Sequence, residues 1–377
     1  MTKKLMFIAG EPSGDLHSAH LISALQKIDP RLEISGMGGE KMRQAGANIF
    51  LDMSELSIIG FTGVLANILK IKKIFQAILA RVDQDPPAAV ILVDYPGFNL
   101  KLAQELKKRH IPVIYYISPQ IWAWWPGRIK TIQQAVDKML VVFKFEEALY
   151  KKHGIDVSFV GHPLLDTAYP AIPREELLTK LGLSHQKIIG IMPGSRRGEV
   201  ERILPVLLQS AKIIQDRIPR IQFVLLKAPQ LGKEYYESKI KISGVPVTLC
   251  ANQTRDFLNL CDFVLAASGT ATLETAIMQR PMVIVYKVSF LNWLIAKQLI
   301  RLPYIGLVNV VAGRKIVPEF VQFQAQPRLI AQAALEILDN REKLNQMQNE
   351  LRKVRESLGT PGASQRAAEI ILNFVCQ

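Results

Sequence analysis

Short apolar runs that end in small or polar turn residues recur along the chain, and most precede a stretch with apolar residues at helical spacing. A short apolar run bounded by turn residues is typical of a strand buried on both faces of a parallel sheet. Alternation of such strands with helices predicts an α/β fold with parallel sheets. The predicted strands cover residues 5–9, 33–35, 88–93, 113–117, 138–142, 157–160, 187–192, 221–226, 245–249 and 263–267.

The stretch 262–276 shows this pattern most clearly, with a strand, a turn rich in hydroxyl groups and a helix. The turn consists of Ser268, Gly269, Thr270, Ala271 and Thr272. Unpaired amides at a helix start bind anions, and Glu274 in the first helical turn can accept hydrogen bonds from ribose or sugar hydroxyls. Ser, Thr and an early Glu also suit plain helix capping. The stretch alone therefore leaves two interpretations open, an anion-binding site and an ordinary helix start.

A second turn of this kind follows the predicted strand 187–192. It contains Gly194, Ser195 and Arg196 and leads into a predicted helix at 200–215. An arginine guanidinium binds phosphate oxygens through two parallel hydrogen bonds. The two turns together predict a site for one diphosphate in the second half of the chain.

Asp94 comes directly after the apolar run 88–93, at the carboxyl end of a predicted strand. Ligands of open α/β sheets gather beyond the carboxyl ends of strands. Asp94 is therefore the best-placed general base in the chain, with an acid that only caps its turn as the alternative. Asp83 and Asp85 match the DxD metal motif of some glycosyltransferases but precede the same strand. We interpret that pair as part of a helix-to-strand loop.

A glycine turn at 10–15 follows the first predicted strand and fits neither the GxGxxG nor the GxxxxGK[ST] motif. The sequence therefore indicates neither a dinucleotide fingerprint nor a P-loop. Three of the four tryptophans lie within residues 122–125, after the predicted strand 113–117. Tryptophans there favour stacking on a sugar or anchoring at a membrane interface, and core packing is the alternative.

The length of 377 residues predicts two domains. A proline-bearing stretch at 163–184 marks the link between them. We predict two α/β domains that are joined by a linker and followed by C-terminal helices. The predicted boundaries are 1–165, 166–186, 187–345 and 346–377.

The composition is 49% hydrophobic with a mean hydropathy of +0.14, yet no uninterrupted apolar run is long enough to span a membrane. The start of the chain does not resemble a signal peptide, so a cytoplasmic location is expected. Three cysteines without paired spacing indicate neither a disulfide framework nor a zinc site.

The net charge of +14 indicates acidic partners, which can be nucleic acid, an anionic membrane or phosphorylated small molecules. The amphipathic pattern at 61–82 is interrupted by Lys70, Lys72 and Lys73. Such a helix covers a sheet or lies on an anionic bilayer. Because no basic stripe with interleaved aromatic residues is present, a nucleic-acid partner is not expected.

The motifs in combination resemble the lipid-A-disaccharide synthase family, and the resemblance extends over essentially the whole chain. Two departures are a lysine at position 144 and a missing proline before Asn309, where the family has prolines. The motifs that carry the resemblance lie at 10–15, 36–39, 94–99, 118–124, 160–164, 193–196 and 268–274.

The resemblance implies an inverting glycosyltransferase of the GT-B type, with two Rossmann-like domains that face a cleft. The implied reaction moves diacylglucosamine from UDP to diacylglucosamine 1-phosphate (lipid X) and forms a β-1,6-linked disaccharide 1-phosphate in lipid A biosynthesis. The resemblance also implies peripheral binding to the cytoplasmic face of the inner membrane and a reaction that needs no metal or other cofactor. It leaves open whether the protein self-associates.

The resemblance assigns roles to individual residues. Asp94 is the catalytic base. The UDP-sugar site comprises Gly194, Ser195, Arg196, Ser268, Gly269, Thr270, Ala271, Thr272 and Glu274. The acceptor site or active-site lining comprises Glu11, Ser13, Gly14, Asp15, Trp124 and Asn309.

Three other functions remain as alternatives. The first two are GT-B enzymes, a UDP-N-acetylglucosamine 2-epimerase and the glycosyltransferase that makes the peptidoglycan precursor. The third is a non-catalytic binder of nucleotide sugars or polyanions, which the positive charge favours.

Overall fold

The computed structural model divides the chain into two compact units. Unit 1 comprises residues 1–166 and 358–377, and unit 2 comprises residues 167–357. The residues that the structure describes are 3–54, 68–122, 127–228, 231–251, 254–290, 293–294 and 303–376.

Unit 1 is built on a seven-stranded parallel sheet in the order β3-β2-β1-β4-β5-β6-β7. All residues of β4 and β5 are buried, as expected for parallel strands that are covered on both faces. The strands are β1 Lys4–Ala9, β2 Glu33–Gly38, β3 Asn48–Asp52, β4 Ala89–Val93, β5 Val113–Tyr116, β6 Lys138–Val141 and β7 Val157–Phe159.

Amphipathic helices connect these strands. The helix from Ile68 to Gln84 buries Ile74, Ile78 and Val82 against the sheet, while Lys72 and Lys73 are exposed. The described helices of this part are α1 Pro12–Ile28, α2 Glu40–Gln44, α3 Ile68–Gln84, α4 Pro96–Lys108, α5 Arg128–Ala135 and α6 Lys144–Lys152.

Unit 2 has a six-stranded parallel sheet in the order β10-β9-β8-β11-β12-β13. Its strands are β8 Lys187–Met192, β9 Ile221–Leu226, β10 Val247–Cys250, β11 Phe263–Ala267, β12 Met282–Tyr286 and β13 Glu319–Val321. Its described helices are α7 Arg174–Leu181, α8 Arg197–Arg217, α9 Lys233–Ser243, α10 Thr254–Leu260, α11 Thr270–Ile277, α12 Leu307–Ala312, α13 Pro327–Leu338 and α14 Arg341–Ser357.

Each sheet has one point where the strand order reverses. In unit 1 this point lies between β1 and β4, and in unit 2 it lies between β8 and β11. Connections leave such a point in opposite directions, so a crevice opens at the carboxyl ends of the two central strands. The turns that the sequence singled out at residues 10–15 and 94–99, and at 193–196 and 268–274, follow these four strands.

The last helix, α15 Ala363–Cys376, belongs to unit 1 and packs on α1. The Asp166 carboxylate accepts hydrogen bonds from the amides of Gly362, Ala363 and Ser364 at the start of this helix. Arg366 donates to the Val160 carbonyl at 2.8 Å. The chain therefore returns to the unit in which it began.

The division differs from the boundaries expected for the linker and the C-terminal helices. Helix α7 lies within the expected linker but falls in unit 2. Helix α14 also stays in unit 2, where it packs on α11, α12 and α13. Only residues from 358 onward join unit 1.

Several element predictions needed correction. Helix α1 begins at Pro12, so most of the predicted glycine turn is helical. Strand β2 continues to Gly38, beyond the predicted range of 33–35. The sequence pattern missed β3, α2 and β13, which are short. Residues 61–67, Trp124 and most of the apolar pattern at 290–301 lie outside the described residues.

Candidate active site

Asp94 follows the last residue of β4 and lies at the reversal point of the unit 1 sheet. Asp94 and Tyr95 both adopt left-handed backbone conformations, with φ of 47° and 49°. This conformation is unfavourable for residues other than glycine, and it persists only where surrounding contacts impose it. Two successive residues in left-handed conformations indicate that contacts from the surrounding fold hold this turn in place.

Neighbouring side chains hold this turn through its backbone. The Asp94 carbonyl accepts hydrogen bonds from the Asn99 amide at 2.7 Å and from the Tyr115 hydroxyl at 2.6 Å. The Tyr95 ring packs over Gly10, where a Cβ atom would come within 2.6 Å of the ring. These contacts keep the Asp94 side chain at the mouth of the sheet.

Burial, together with the smaller effect of the negative charge of Glu11, raises the pKa of the Asp94 carboxyl to about 6. A hydrogen bond from the Tyr95 backbone opposes this effect by stabilising the charged form. A carboxylate with a pKa near 6 is ionised at neutral pH and is a stronger base than an ordinary aspartate. Both properties suit a general base.

The start of α1 lies beside this acid, because it follows β1 at the same reversal point. Glu11 is the N-cap residue, Ser13 is exposed and Gly14 is buried. The Asp15 carboxylate accepts hydrogen bonds from three backbone amides at the start of α2, those of Gly39, Lys41 and Met42. Asp15 is therefore buried as the cap of a neighbouring helix, with both oxygens occupied.

Trp124 lies outside the described residues, but Trp122 of the same motif is described. Its indole nitrogen donates to the Glu146 carboxylate at 2.9 Å, and the Ser118 hydroxyl donates to the same oxygen at 2.8 Å. Burial raises the pKa of Glu146 to about 7. This buried acid therefore holds the tryptophan loop after β5 to helix α6.

In unit 2, a cavity of about 680 Å³ lies at the carboxyl ends of β8, β9, β10 and β11. Lining residues from the ends of β9 and β10 include Leu226, Ala228 and Ala251. Seven of the predicted residues also line this cavity, namely Gly194, Ser195, Ser268, Gly269, Thr270, Ala271 and Glu274.

The sequence predicted Glu274 in the first helical turn, but it is the fifth residue of α11 and lies in the second turn, because the helix begins at Thr270. Burial raises the pKa of its carboxyl to about 7. Within the described ranges, no hydrogen bond to its carboxylate oxygens is found. A half-buried acid at a cavity wall, with no hydrogen-bond partner among the described residues, can accept hydrogen bonds from ligand hydroxyls.

Two turns meet at the reversal point of the unit 2 sheet. Gly194 has φ of 115°, and a Cβ atom there would come within 2.2 Å of the Glu199 carboxylate. Gly269 is the N-cap of α11 with φ of 148°, a conformation that favours glycine. The first amides of α11 therefore open toward the cavity, as an anion-binding helix start requires.

Three predicted residues lie elsewhere in unit 2. Arg196 is the exposed N-cap residue of α8 and does not line the cavity. The Thr272 hydroxyl is directed away, because it donates to the Gly269 carbonyl. Asn309 is buried and connects α12 to the β13 region through Ile316, Val317 and Glu319. Asn309 thus ties α12 to the chain around β13, whereas the resemblance placed it in the acceptor site or active-site lining.

The cavity contains residues that the sequence did not single out. Glu199 accepts a hydrogen bond from the Ser195 amide at 3.0 Å, and burial raises its pKa. Lys227 and Thr254 also line the wall. Lys227 follows β9 and Thr254 follows β10. Because both strands were predicted, the position of these residues after a strand could have identified them as candidate site residues. Among the described residues, no group of three side chains is arranged to hold a metal ion.

Comparison with known proteins adds to this geometry. The family model for lipid-A-disaccharide synthetase matches residues 5–374. The chain belongs to the lipid-A-disaccharide synthase family. The lipid-A-disaccharide synthase of Geobacter sulfurreducens is 42% identical over 373 residues, covering 99% of this chain and 97% of that protein. The enzyme of Coxiella burnetii (strain CbuG_Q212) is 40% identical over 375 residues, covering 99% of both chains.

Members of this family are glycosyltransferases, and solved structures support the GT-B fold. The S. aureus MnaA–UDP co-structure matches with a TM-score of 0.68 and 16% identity, covering 100% of this chain and 97% of that one. The UDP-GlcNAc 2-epimerase from Neisseria meningitidis bound to UDP-GlcNAc matches with a TM-score of 0.62 and 14% identity, covering 99% of both chains. At these identities the likeness shows the fold alone.

Proposed function

We propose that the protein transfers 2,3-diacylglucosamine from UDP-2,3-diacylglucosamine to 2,3-diacylglucosamine 1-phosphate. The products are a β-1,6-linked lipid A disaccharide 1-phosphate and UDP. The observation that carries this proposal is the match to one enzyme family over residues 5–374. The matched residues include the central strands at the reversal points of both sheets and the turns that follow these strands.

The unit 2 cavity is the site that we assign to UDP. Glu274 accepts hydrogen bonds from the ribose hydroxyls, and the diphosphate lies at the start of α11 and the Ser195 turn. Helix amides stabilise negative charge there, and this stabilisation grows as the diphosphate leaves. Arg196, the exposed residue that follows Ser195 in the same turn, supplies a positive charge to the same phosphates.

Asp94 is the base in the proposed transfer. It accepts the proton of the acceptor 6-hydroxyl as that oxygen forms a bond to the anomeric carbon of the donor. The bond between this carbon and the diphosphate oxygen breaks, and its electron pair leaves with UDP. Attack opposite the leaving group inverts the configuration at the anomeric carbon. Glu11, Ser13 and Gly14 are the nearest residues for binding the acceptor.

The proposed reaction uses no metal, because helix amides and Arg196 meet the charge of the leaving group. We also propose that the protein draws its acylated substrates from the anionic cytoplasmic face of the inner membrane while bound peripherally. Among the described helices, none is long and apolar enough to cross a bilayer. The charge of +14 supports attraction to anionic lipids.

A UDP-GlcNAc 2-epimerase is the second candidate function, because solved epimerases share the fold. Epimerases act on a sugar without acyl chains, whereas the proposed transfer requires an acylated donor and acceptor. The two functions therefore differ in the substrate that they consume.

The deciding experiment measures UDP release with three donor and acceptor combinations, in the presence of EDTA. We expect turnover with diacylated donor plus diacylated acceptor, and none with UDP-GlcNAc or when the acceptor is omitted. Equal turnover of the unacylated donor would refute the lipid assignment. Loss of activity in EDTA that magnesium restores would refute the metal-free reaction and leave the substrates unchanged.

A further inference from the structure

Unit 2 exposes a cluster of large apolar side chains that the proposed transfer has not used. The rings of Phe290 and Phe323 are 63% and 62% exposed, and Leu294 is 43% exposed. The Trp293 ring lies between the two phenylalanines, with ring centroids 6.0 Å from Phe290 and 5.1 Å from Phe323. We refer to Phe290, Trp293 and Phe323 as the aromatic platform.

Hydrogen bonds between two segments of the chain fix the position of the platform. Gln322 is buried in a left-handed conformation with φ of 51°. Its side-chain amide donates to the Val288 carbonyl and accepts from the Val288 amide, both at 3.1 Å. This double hydrogen bond ties the segment after β12 to the segment after β13. The two phenylalanines are therefore positioned by a defined structure, although their rings are exposed to water.

The platform and the nucleotide cavity share one edge of the unit 2 sheet. The cavity covers the carboxyl ends of β10, β9, β8 and β11, and the platform follows the carboxyl ends of β12 and β13. Neighbouring strands lie about 4.8 Å apart. Strand β12, which precedes Phe290, therefore lies one strand spacing from β11, which leads into the turn at Ser268.

The order along this edge matches the order of parts in an acylated sugar nucleotide. Leu226, Ala228 and Ala251 provide an apolar wall at the β9 and β10 end, which suits a nucleobase. The helix start at β11 suits the diphosphate, so the sugar and its acyl chains continue toward β12 and β13.

We propose that the aromatic platform binds the acyl chains of the donor and makes unit 2 selective for an acylated sugar nucleotide. This inference rests on the proposed function, because it needs an acylated donor. Exposed rings lose contact with water when a chain covers them, and burial of apolar surface stabilises the complex. A sugar nucleotide without acyl chains buries no apolar surface on the platform and therefore gains no binding free energy from it.

The test compares Phe290→Ala and Phe323→Ala with the parent chain, using donors with long acyl chains and donors with acetyl groups. Assays are run in non-ionic detergent, so that no bilayer is present. We expect kcat/KM for the long-chain donor to fall about tenfold in each variant, as loss of roughly 1.4 kcal/mol produces. The acetylated donor and the Kd of UDP should be unaffected.

Ile242→Ala is the matched control, since Ile242 is 81% exposed on α9 in the same unit. It should leave both donors unchanged. Equal losses with long-chain and acetylated donors would overturn the proposal, and so would unchanged kcat/KM with the long-chain donor. Reduced vesicle binding with normal turnover in detergent would assign the platform to the membrane instead, which also overturns it. If the parent chain turns over no acylated donor, the proposed function itself fails.

Discussion

Three carboxylates at the carboxyl edges of the two sheets are buried enough to bind protons more readily than ordinary acids. The pKa is raised to about 6 for Asp94 and to about 7 for Glu274, and that of Glu199 is raised as well. In all three, removal from water is the largest cause, because it disfavours the charged form. Asp94 directly follows β4, whereas Glu199 and Glu274 lie in the helices that follow β8 and β11.

Asp94 carries the first prediction. Asp94→Asn should fold normally but lower kcat about 100-fold or more, since the amide cannot accept the acceptor proton. In the parent chain, kcat/KM should fall as pH decreases through about 6, because protonated Asp94 is not a base. Steady-state UDP release across a pH series measures both effects.

Two further variants separate this role from a general effect of charge. Asp83→Asn removes an exposed carboxylate that pairs with Arg109 and should leave kcat unchanged. Glu11→Gln should move the acid limb of the pH profile to lower pH, because the Glu11 charge raises the pKa of Asp94. Near-normal turnover by a folded Asp94→Asn chain would remove Asp94 from the role of base.

At the scale of elements, polar side chains fix how short helices attach to the sheets. Asp15 reaches from α1 to the amides that begin α2, and Asn309 ties α12 to the chain around β13. Short helices such as α2 are not stable on their own. Their position depends on buried hydrogen bonds that the hydrophobic pattern does not specify.

Asp15 carries the prediction at this scale. Asp15→Ala should lower the free energy of unfolding by about 2 kcal/mol, because it leaves amides at the start of α2 without partners. Urea denaturation followed by circular dichroism measures the change. Glu40→Gln, which alters an exposed acid of the same helix, is the control and should have little effect. Unchanged stability in Asp15→Ala would contradict the capping role.

At the scale of the whole molecule, the chain combines two similar units with a strong positive charge. The last helix returns to unit 1, so neither the N-terminal nor the C-terminal part forms that unit alone. The charge of +14 is large for 377 residues. Part of it lies on α3, where Lys72 and Lys73 are exposed near Leu69, whose exposed fraction is 73%.

The corresponding prediction concerns membrane binding. The protein should sediment with vesicles that contain anionic phospholipid, and binding should fall as salt shortens the Debye length from about 10 Å at 0.1 M. Lys72→Glu combined with Lys73→Glu should weaken sedimentation several-fold. Lys343→Glu combined with Lys353→Glu makes the same charge change on α14 and should weaken it less. Equal binding to neutral vesicles at high salt would contradict charge-driven attachment.

The sequence by itself determined the positions of most strands and the residues at their carboxyl ends, but it missed the short strands β3 and β13. Strands β1, β8, β9 and β11 fall within one residue of their predicted bounds, because apolar runs bounded by turns encode buried parallel strands directly. Asp94, Ser195, Ser268 and Glu274 were predicted as site residues for the same reason, since parallel sheets place functional groups after such strands. The order of motifs also identified the family.

Only the tertiary structure decided which of these groups face a cavity. Asp15 and Asn309 have the same polar character as the other predicted site residues, but backbone and side-chain partners outside their own helices satisfy them. Glu199 lies in the cavity because the left-handed Gly194 makes room for it. The aromatic platform depends on Gln322 joining the ends of two strands. The local pattern of apolar and polar residues encodes the helices and strands. Contacts between residues of different elements decide which side chains are buried, which carboxyl groups have a shifted pKa and which side chains come together.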